Sequence, residues 1–383
     1  MKTNSGLIAL NYIYLSPQHA GGKDQVGLNL LKGFQDSGDA KRMCVICFDY
    51  SYNIIKKISP DIRIIPLSAP KAANELQRML NICFVNTFII PRLIKKNNLS
   101  IIYHLNSNTG LKHYRIPSVV IPHDIKAVAH RVLANVKIPY YKYLLYKLMY
   151  NNDFKTNDYI IAISDADKHE ITQFYPQYKD KIVRLYNPID VSPASPCRNN
   201  ADRRYIAALN LQFHHKNIIT LIKAFELIKD STDVSLYLIG NVPKRVGYLK
   251  DYVNTHHLND RIVFTGFTDE ATRNHLLENA LLYVNPSLYE GFGMTAVEAM
   301  IKCVPTLLSD IPANREVTRG LCEYYYPPED KHALADKLLS CLDKQYDPQL
   351  LFHLGTELYN TYNTNTICSE YVNFFDNILK QQN

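Results

Sequence analysis

Residues 289–300 read YEGFGMTAVEAM. Glu290 and Glu298 stand eight apart around Gly291 and Gly293, and the apolar run that follows has the composition of a helix start. Glycines ahead of a helix let backbone amides approach an anion closely, most often a phosphate. Carboxylates repel such a ligand, so the two acids either address another part of it or serve structure alone. In the structural reading Glu298 is a first-turn partner of the helix dipole and Glu290 a solvated loop acid. The apolar setting of Glu298, TAVEAMI, argues for specific partners, because a carboxylate there is costly without them.

Three further loops follow strand-like runs. His19-Ala-Gly21-Gly22-Lys23-Asp24 places a glycine pair before a helix, which suits either a phosphate or a tight turn. Leu209-Asn210-Leu-Gln-Phe-His214-His215-Lys216-Asn217 puts Lys216 at a helix start, where the dipole disfavours a cation unless an anion is bound. His214 and His215 are adjacent, a poor spacing for one metal, and read as loop residues. Pro122-His123-Asp124 ends a strand, where the pair either handles a proton or serves hydrogen bonding in the fold. Asp165-Ala-Asp167 resembles an Asp-x-Asp metal motif, but it follows YIIAIS and precedes a helix. Ser164 or Asp165 is therefore expected to cap that helix, and no further carboxylate cluster supports a metal.

The elements that position these loops alternate throughout. Strands are predicted at 7–15, 43–48, 62–67, 100–105, 118–123 and 159–164, with helices at 24–36, 73–96 and 137–152. After a Pro/Ser/Asn-rich linker at 187–204, strands recur at 205–210, 234–240, 261–266, 281–287 and 304–310. The expected fold class is α/β, two doubly wound Rossmann-like domains facing across a cleft, with ligands at the carboxyl ends of the strands. The expected divisions are an acceptor domain at 1–190, a donor domain at 191–365, and a terminal amphipathic helix at 366–383 that packs at the domain junction and crosses back to the N-terminal domain.

Composition sets the remaining bounds. A chain of 383 residues exceeds the ~250–300 at which single cores stop growing. The opening MKTNSGLIALNYIYLS lacks a signal-peptide core, and no apolar run nears the ~20 residues of a membrane span, so a cytoplasmic protein is expected. Eight scattered cysteines, including Cys44 and Cys47 in the strand-like MCVICF, read as buried thiols. Residues 1–190 carry 25 Lys and Arg against 14 acids, a net of +11, whereas the rest is −4. Without Arg-rich or Gly-aromatic signatures, nucleic acid is not expected as a partner. An anionic membrane surface is, at the inner face of the cell membrane. The 137–152 stretch, KIPYYKYLLYKLMYNN, reads equally as a membrane-surface helix or a core helix with snorkelling lysines.

The run from Gly266 to Val317, with PSLYEGFGMTAVEA and PTLLSDIPANRE, resembles the signature region of family 4 retaining glycosyltransferases of GT-B fold. Matches at Gly21-Gly22, VVIPHD, IIAIS, YNPID, the HHKN loop, LIGN and TGF extend the resemblance over nearly the whole chain. It implies a nucleotide-sugar donor, UDP- or GDP-linked, bound mainly by the C-terminal domain, and a glycan or lipid-linked acceptor. It implies no cofactor and no metal. Glu298 matches the glutamate that holds the ribose. Glu290 matches the one beside the transferred sugar, and Lys216 the lysine that neutralises the diphosphate. Gly291, Phe292, Gly293, Met294 and Thr295 would hold sugar and diphosphate, Gly240 would also bind the donor, and Phe267 and its neighbours would line the base pocket. Gly21 and Gly22 would close over the diphosphate, and His123 and Asp124 would face sugar and acceptor. Two positions depart from the pattern: Asn210 stands where an arginine is common, and Cys303 where a glycine is usual. Asn210 leaves room for a catalytically silent sugar-nucleotide binder, and the shared fold leaves room for a nucleotide-sugar 2-epimerase. A dehydrogenase lacks its G-x-G-x-x-G turn here.

Overall fold

Strand-like runs that are apolar at nearly every position can be satisfied only by burial on both faces, and parallel sheets covered by helices provide that. The computed structural model describes residues 6–18, 21–133, 139–193 and 204–382. It divides into two units, Met1–Asp190 with Tyr362–Asn383, and Val191–Thr361.

In the first unit the strands are β1 (Leu7–Asn11), β2 (Met43–Phe48), β3 (Arg63–Leu67), β4 (Leu99–His104), β5 (Ser118–Val120), β6 (Tyr159–Ala162) and β7 (Ile182–Arg184). They form one parallel sheet in the order β3-β2-β1-β4-β5-β6-β7. Every residue of β2 is buried, including Cys44 and Cys47, whose thiols burial pushes up to about 11 and about 12. Edge strand β3 carries Pro66, which a central strand would not tolerate. The helices are α1 (Gly22–Asp36), α2 (Tyr52–Ile58), α3 (Glu75–Phe84), α4 (Ile90–Asn97), α5 (Lys126–Leu133), α6 (Tyr140–Thr156) and α7 (Asp165–Phe174).

Two departures from the sequence reading stand out here. The helix predicted over 73–96 is two helices joined by a π-helical turn, Val85–Ile89, just ahead of Pro91, which has no amide proton to give back to the preceding turn. Residues 137 and 138 of the 137–152 helix lie outside the described residues, and so do His19 and most of the linker. The core-helix reading of that stretch fails: nothing from Tyr140 to Met149 is buried, and only Tyr150, Asp153 and Phe154 turn inward.

The second unit holds β8 (Tyr205–Leu209), β9 (Ser235–Ile239), β10 (Ile262–Gly266), β11 (Leu282–Asn285), β12 (Thr306–Ser309) and β13 (Glu323–Tyr325), parallel in the order β10-β9-β8-β11-β12-β13. Around it run α8 (Ile218–Ile228), α9 (Tyr248–Thr255), α10 (Glu270–Glu278), α11 (Met294–Ile301), α12 (Pro312–Val317), α13 (Lys331–Asp343) and α14 (Pro348–Tyr362). Phe225 and Leu221 of α8 and Leu334 and Leu338 of α13 pack with Leu236 and Leu238 of the sheet as one core.

The chain rejoins the first unit at Tyr362, whose carbonyl accepts from Ile189 N at 2.7 Å. Helix α15 (Thr364–Lys380) then lies along α1. The approach is so close that a Cβ on Gly33 would stand 2.3 Å from Cys368 Sγ and 2.8 Å from Thr364 O. Tyr371 and Phe375 of α15 meet Tyr103 of β4 edge-on, both with centroids 6.0 Å away.

Candidate active site

Ligands of doubly wound sheets bind beyond the carboxyl ends of the strands, where the strand order reverses. In the second unit that point lies between β8 and β11. The loops leaving those strands are 210–217 and 286–293, which carry Lys216 and Glu290. Asn217, in the left-handed conformation at φ 55°, stitches them together. Its Nδ2 donates to Pro286 O at 3.1 Å and to Pro328 O at 2.8 Å, while Leu288 N donates to His215 O at 2.8 Å.

These ties set Lys216 Nζ 2.6 Å from Glu290 Oε1, with the two side chains only 14% and 9% exposed. Asn285 Nδ2, at 3.1 Å, donates to the same oxygen, and Ser287 Oγ lies 2.7 Å from it. Burial pushes the Glu290 carboxyl up, but the Lys216 ammonium and the Asn285 amide pull harder, and the net shift is downward. Glu290 is therefore an ionised acid facing a cation, not the solvated loop acid of the structural reading.

Helix α11 begins just beyond. Its N-cap, Gly293, sits at φ 87°, a conformation that admits glycine freely, and a Cβ there would be in ordinary contact with Asn314 Oδ1 at 3.4 Å, so the backbone conformation rather than space selects glycine. Asn314 is buried under the loop and donates to Ser309 O at 2.9 Å. No side chain caps α11, so its first amides are not used up by the N-cap side chain. Asn210 Nδ2 reaches Thr295 Oγ1 at 3.0 Å, so the residue in the place of the usual arginine bonds to the start of this helix. Arg245 attaches to the same loop through Nε to Gln212 O at 2.8 Å, and its guanidinium lies over the Phe213 ring.

Glu298, one turn on, is buried and meets Arg273 Nη2 of α10 at 2.8 Å. Burial raises its pKa, and Arg273 offsets that only in part. Tyr283 of β11 is buried close to both acids, and burial followed by Glu290 and Glu298 raises its phenol strongly. Phe292 is buried in the loop, Met294 is the first residue of α11, and Gly291 lies between Glu290 and Phe292. Gly240 and Gly266 form a bridge at the ends of β9 and β10, with Gly240 N donating to Thr265 Oγ1 at 3.1 Å. Phe267 beyond it is 81% exposed, a bare aromatic face. The structure thus gathers Asn210, Lys216, Glu290 and the start of α11 at one reversal point, with Glu298 along the helix.

The other candidates belong to the first unit. Gly21, at φ 108°, is the N-cap of α1 and Gly22 its first residue, both in open space. His123, at φ 64°, is buried, and its Nε2 donates to Leu105 O at 2.7 Å, so Nδ1 is the acceptor nitrogen. Burial first and Lys23 second lower its pKa to about 4, which keeps it neutral. Its ring is thus committed through Nε2 to a carbonyl rather than to Asp124. The Asp124 carboxylate accepts from Lys126 N at 3.2 Å at the start of α5 and pairs with Lys126 Nζ at 3.5 Å. Ser164 Oγ caps α7 by accepting from Asp167 N at 2.9 Å, and Asp167 accepts from Ile163 N at 3.0 Å.

The sequence reading missed Arg273, Asn285, Ser287, Tyr283 and Arg245. Asn285 and Ser287 carried a signal, since polar residues at a strand's carboxyl end seldom serve the core. Arg273 carried none, because only the fold brings α10 against α11.

With this geometry in place, likeness to known proteins is informative. Residues 21–193 match the family described as Glycosyltransferase Family 4, and residues 197–356 match Glycosyl transferases group 1. The chain belongs to the family 4, group 1 glycosyltransferases. The O-antigen chain mannosyltransferase RfbU of Salmonella typhimurium is 26% identical over 223 residues, which are 57% of this chain and 60% of that protein. The chain thus matches less than two thirds of that relative's length. Among solved structures, sucrose-phosphate synthase from Thermosynechococcus elongatus superposes with a TM-score of 0.76 at 18% identity, covering 98% of this chain and all of that one. Anabaena HepE, solved with UDP and glucose, gives 0.71 at 16% identity, covering 97% of this chain and 100% of that one. These likenesses establish the GT-B fold of the family member.

Proposed function

We propose that the protein moves a hexose from a nucleotide sugar to a glycan or lipid-linked saccharide, with retention of anomeric configuration, in the synthesis of a surface polysaccharide of O-antigen or capsule type. One observation carries the reading: Lys216 and Glu290 are held in contact beside the N-terminus of α11, while Glu298 stands along the same helix. That order suits one extended ligand. Lys216 and the α11 amides take a diphosphate, Glu298 accepts from ribose hydroxyls, and Glu290 accepts from the sugar and stabilises positive charge at its anomeric carbon. Departure of the nucleoside diphosphate leaves negative charge where cation and amides are already aimed, so no metal is required by this scheme. Arg245, anchored on the 210–217 loop, is the candidate for the cation that Asn210 does not supply.

The mannosyltransferase relative supports the polysaccharide setting, and the UDP complex of HepE supports a nucleotide-bound donor site; UDP and GDP sugars both fit the scheme. Cytoplasmic action at the membrane's inner face belongs to the same proposal. The test is donor turnover with UDP- and GDP-hexoses, with and without chelator, and NMR of the product anomer. Release of nucleotide with a retained anomer, insensitive to chelator, is the expected result. Donor binding without turnover for any acceptor would instead favour a silent binder, and inversion would remove the retaining scheme.

A further inference from the structure

Two helices of the first unit present apolar surface that the unit itself does not cover. Eight of the ten residues Tyr140–Met149 are aromatic or aliphatic, yet none is buried. Tyr141 is 68% exposed and Leu148 60%. Helix α3 repeats the arrangement: Leu76, Leu80 and Phe84 recur every four residues, and Leu80 and Phe84 are 62% and 57% exposed. That spacing makes a single stripe, which Phe88 extends through the π-helical turn.

Both stripes belong to one face. The connections from β3 onward to β7 all advance in one direction across the sheet, so right-handed crossovers place α3, α4 and α6 together, opposite α1 and α15. The 105–114 loop fastens the two helices. Asn108 Nδ2 donates to Met79 O of α3 at 2.7 Å, Asn108 N donates to Asp153 of α6 at 2.6 Å, and Asn152 Nδ2 donates to Gly110 O at 2.7 Å.

The charge on this stretch is one-sided. Residues 71–151 hold 12 Lys and Arg against 2 Asp and Glu, a net of +10, nearly all the excess of residues 1–190. The two acids, Glu75 and Asp124, stand at or just before the starts of α3 and α5. Cations lie on rings of this face: Lys112 Nζ is 5.2 Å from the centroid of the exposed Phe88 and Lys147 Nζ 5.8 Å from that of the half-buried Tyr143. Leucines interleaved with tyrosines and lysines are the composition of a surface that lies in a lipid interface. A nucleic acid has no use for the leucines. A second copy docking through the same face would bring two strongly positive surfaces together. Among the described residues no helix is long and apolar enough to cross a membrane, so the contact is with the surface.

We propose that the α3–α6 face docks on an anionic lipid bilayer, with its leucines and tyrosines at the headgroup boundary and its lysines and arginines against lipid phosphates. This deepens the reading of a membrane-side enzyme and is independent of the transfer chemistry.

Co-sedimentation of the full chain with phosphatidylcholine vesicles, with and without phosphatidylglycerol, tests it. The wild type is expected to pellet with anionic vesicles at low salt and to release as salt rises. Lys142→Ala with Lys147→Ala should weaken the partition on the order of thirtyfold, about fivefold for each cation. Leu144→Ser with Leu148→Ser should abolish the part that survives high salt. These side chains are exposed, so melting temperature and donor turnover on a water-soluble acceptor should stay at wild-type values. Equal binding to neutral and anionic vesicles, no binding at low salt, or variants that bind like wild type would overturn the proposal. So would a dimer, seen by light scattering, that the leucine variants split while no form binds vesicles. Vesicle binding without turnover leaves the docking face standing and removes only the transfer reading.

Discussion

Both sheets reverse strand order beside their first strand, at β1/β4 and at β8/β11, and the two reversal points are furnished in opposite ways. At β8/β11 the site holds two ion pairs, Lys216 against Glu290 and, nearby, Arg273 against Glu298. At β1/β4 the side chains on the strand ends themselves are neutral, while the buried carboxylates of Asp24 and Asp153 accept from backbone amides of the loops beyond. Asn11 Nδ2 at the end of β1 donates to Asn86 Oδ1 of the π-helical turn at 2.8 Å and lies 3.0 Å from His104 Nδ1 at the end of β4. Asn86 donates to the Tyr14 hydroxyl at 2.9 Å, and burial holds His104 down at about 3, without charge. This neutral network holds without any charge, although Asn11 Oδ1 and His104 Nε2 are buried with no partner among the described residues. A buried ion pair is stable only while each charge has a partner, and an anionic ligand is one that Lys216 can take in exchange.

The largest effect should come from breaking the charged side. Lys216→Ala strands Glu290 in a buried site, which should cost about 3–5 kcal/mol in urea unfolding and lower donor turnover roughly 10²–10³-fold. Glu290→Gln leaves Lys216 a neutral amide oxygen to donate to, so it should lose comparable turnover at a smaller cost in stability. If Lys216→Ala unfolds like wild type, the pair is not what distinguishes this reversal point. Arg273→Ala comes next and should weaken donor binding on the order of tenfold, measured by calorimetry.

The two acids also separate by pH. Glu298 has a raised pKa, so donor affinity should fall with acidification while Glu290, held low by Lys216, is still ionised. For stability the signs are opposite. The native state holds the Glu298 proton more firmly than the unfolded chain does, so its contribution declines as pH rises from the ordinary carboxylate value through its native one. The Glu290 contribution is present above the ordinary value and is lost as pH falls through its lowered one. In Arg273→Ala the affinity midpoint should move to higher pH; an unmoved midpoint would detach Arg273 from Glu298.

On the neutral side, His104→Ala should cost about 1–3 kcal/mol by removing a buried hydrogen-bond partner, with no change in its pH dependence between about 5 and 8. A titration in that window would mean the network is not neutral. The smallest effect concerns Cys303. It occupies the left-handed position after α11, at φ 58°, with Cys303 N bonded to Met300 O and Val304 N to Ala299 O. Cys303→Gly should raise stability by about 1 kcal/mol, because this backbone conformation penalises a Cβ.

Much of this was legible in the sequence because parallel strands are apolar runs: β2 appears as MCVICF and β8 as YIAAL. The three-residue edge strands β7 and β13, IVR and EYY, were not, since so short a run has no pattern to separate it from a loop. The acids and Lys216 were legible through their spacing to glycines and helix starts. Their partners were not, because Arg273 reaches Glu298 from another helix and Asn285 reaches Glu290 around a loop. The linear pattern of α6 fits a buried helix and a lipid-facing one alike, and only the finished packing, in which no residue from Tyr140 to Met149 is buried, separates the two.

The packing of α15 on α1 has a bearing on how the protein comes into being. Tyr103 and Gly33 are made early, but the side chains that cover them, Tyr371, Phe375 and Cys368, leave the ribosome only after the whole second unit. Domains usually fold in the order of synthesis. Here the first unit to emerge is the last to be closed, and a nascent chain carries an open aromatic flank until the second unit has been made. Premature stop products ending before Thr364 would keep that flank for good and be natural clients for chaperones.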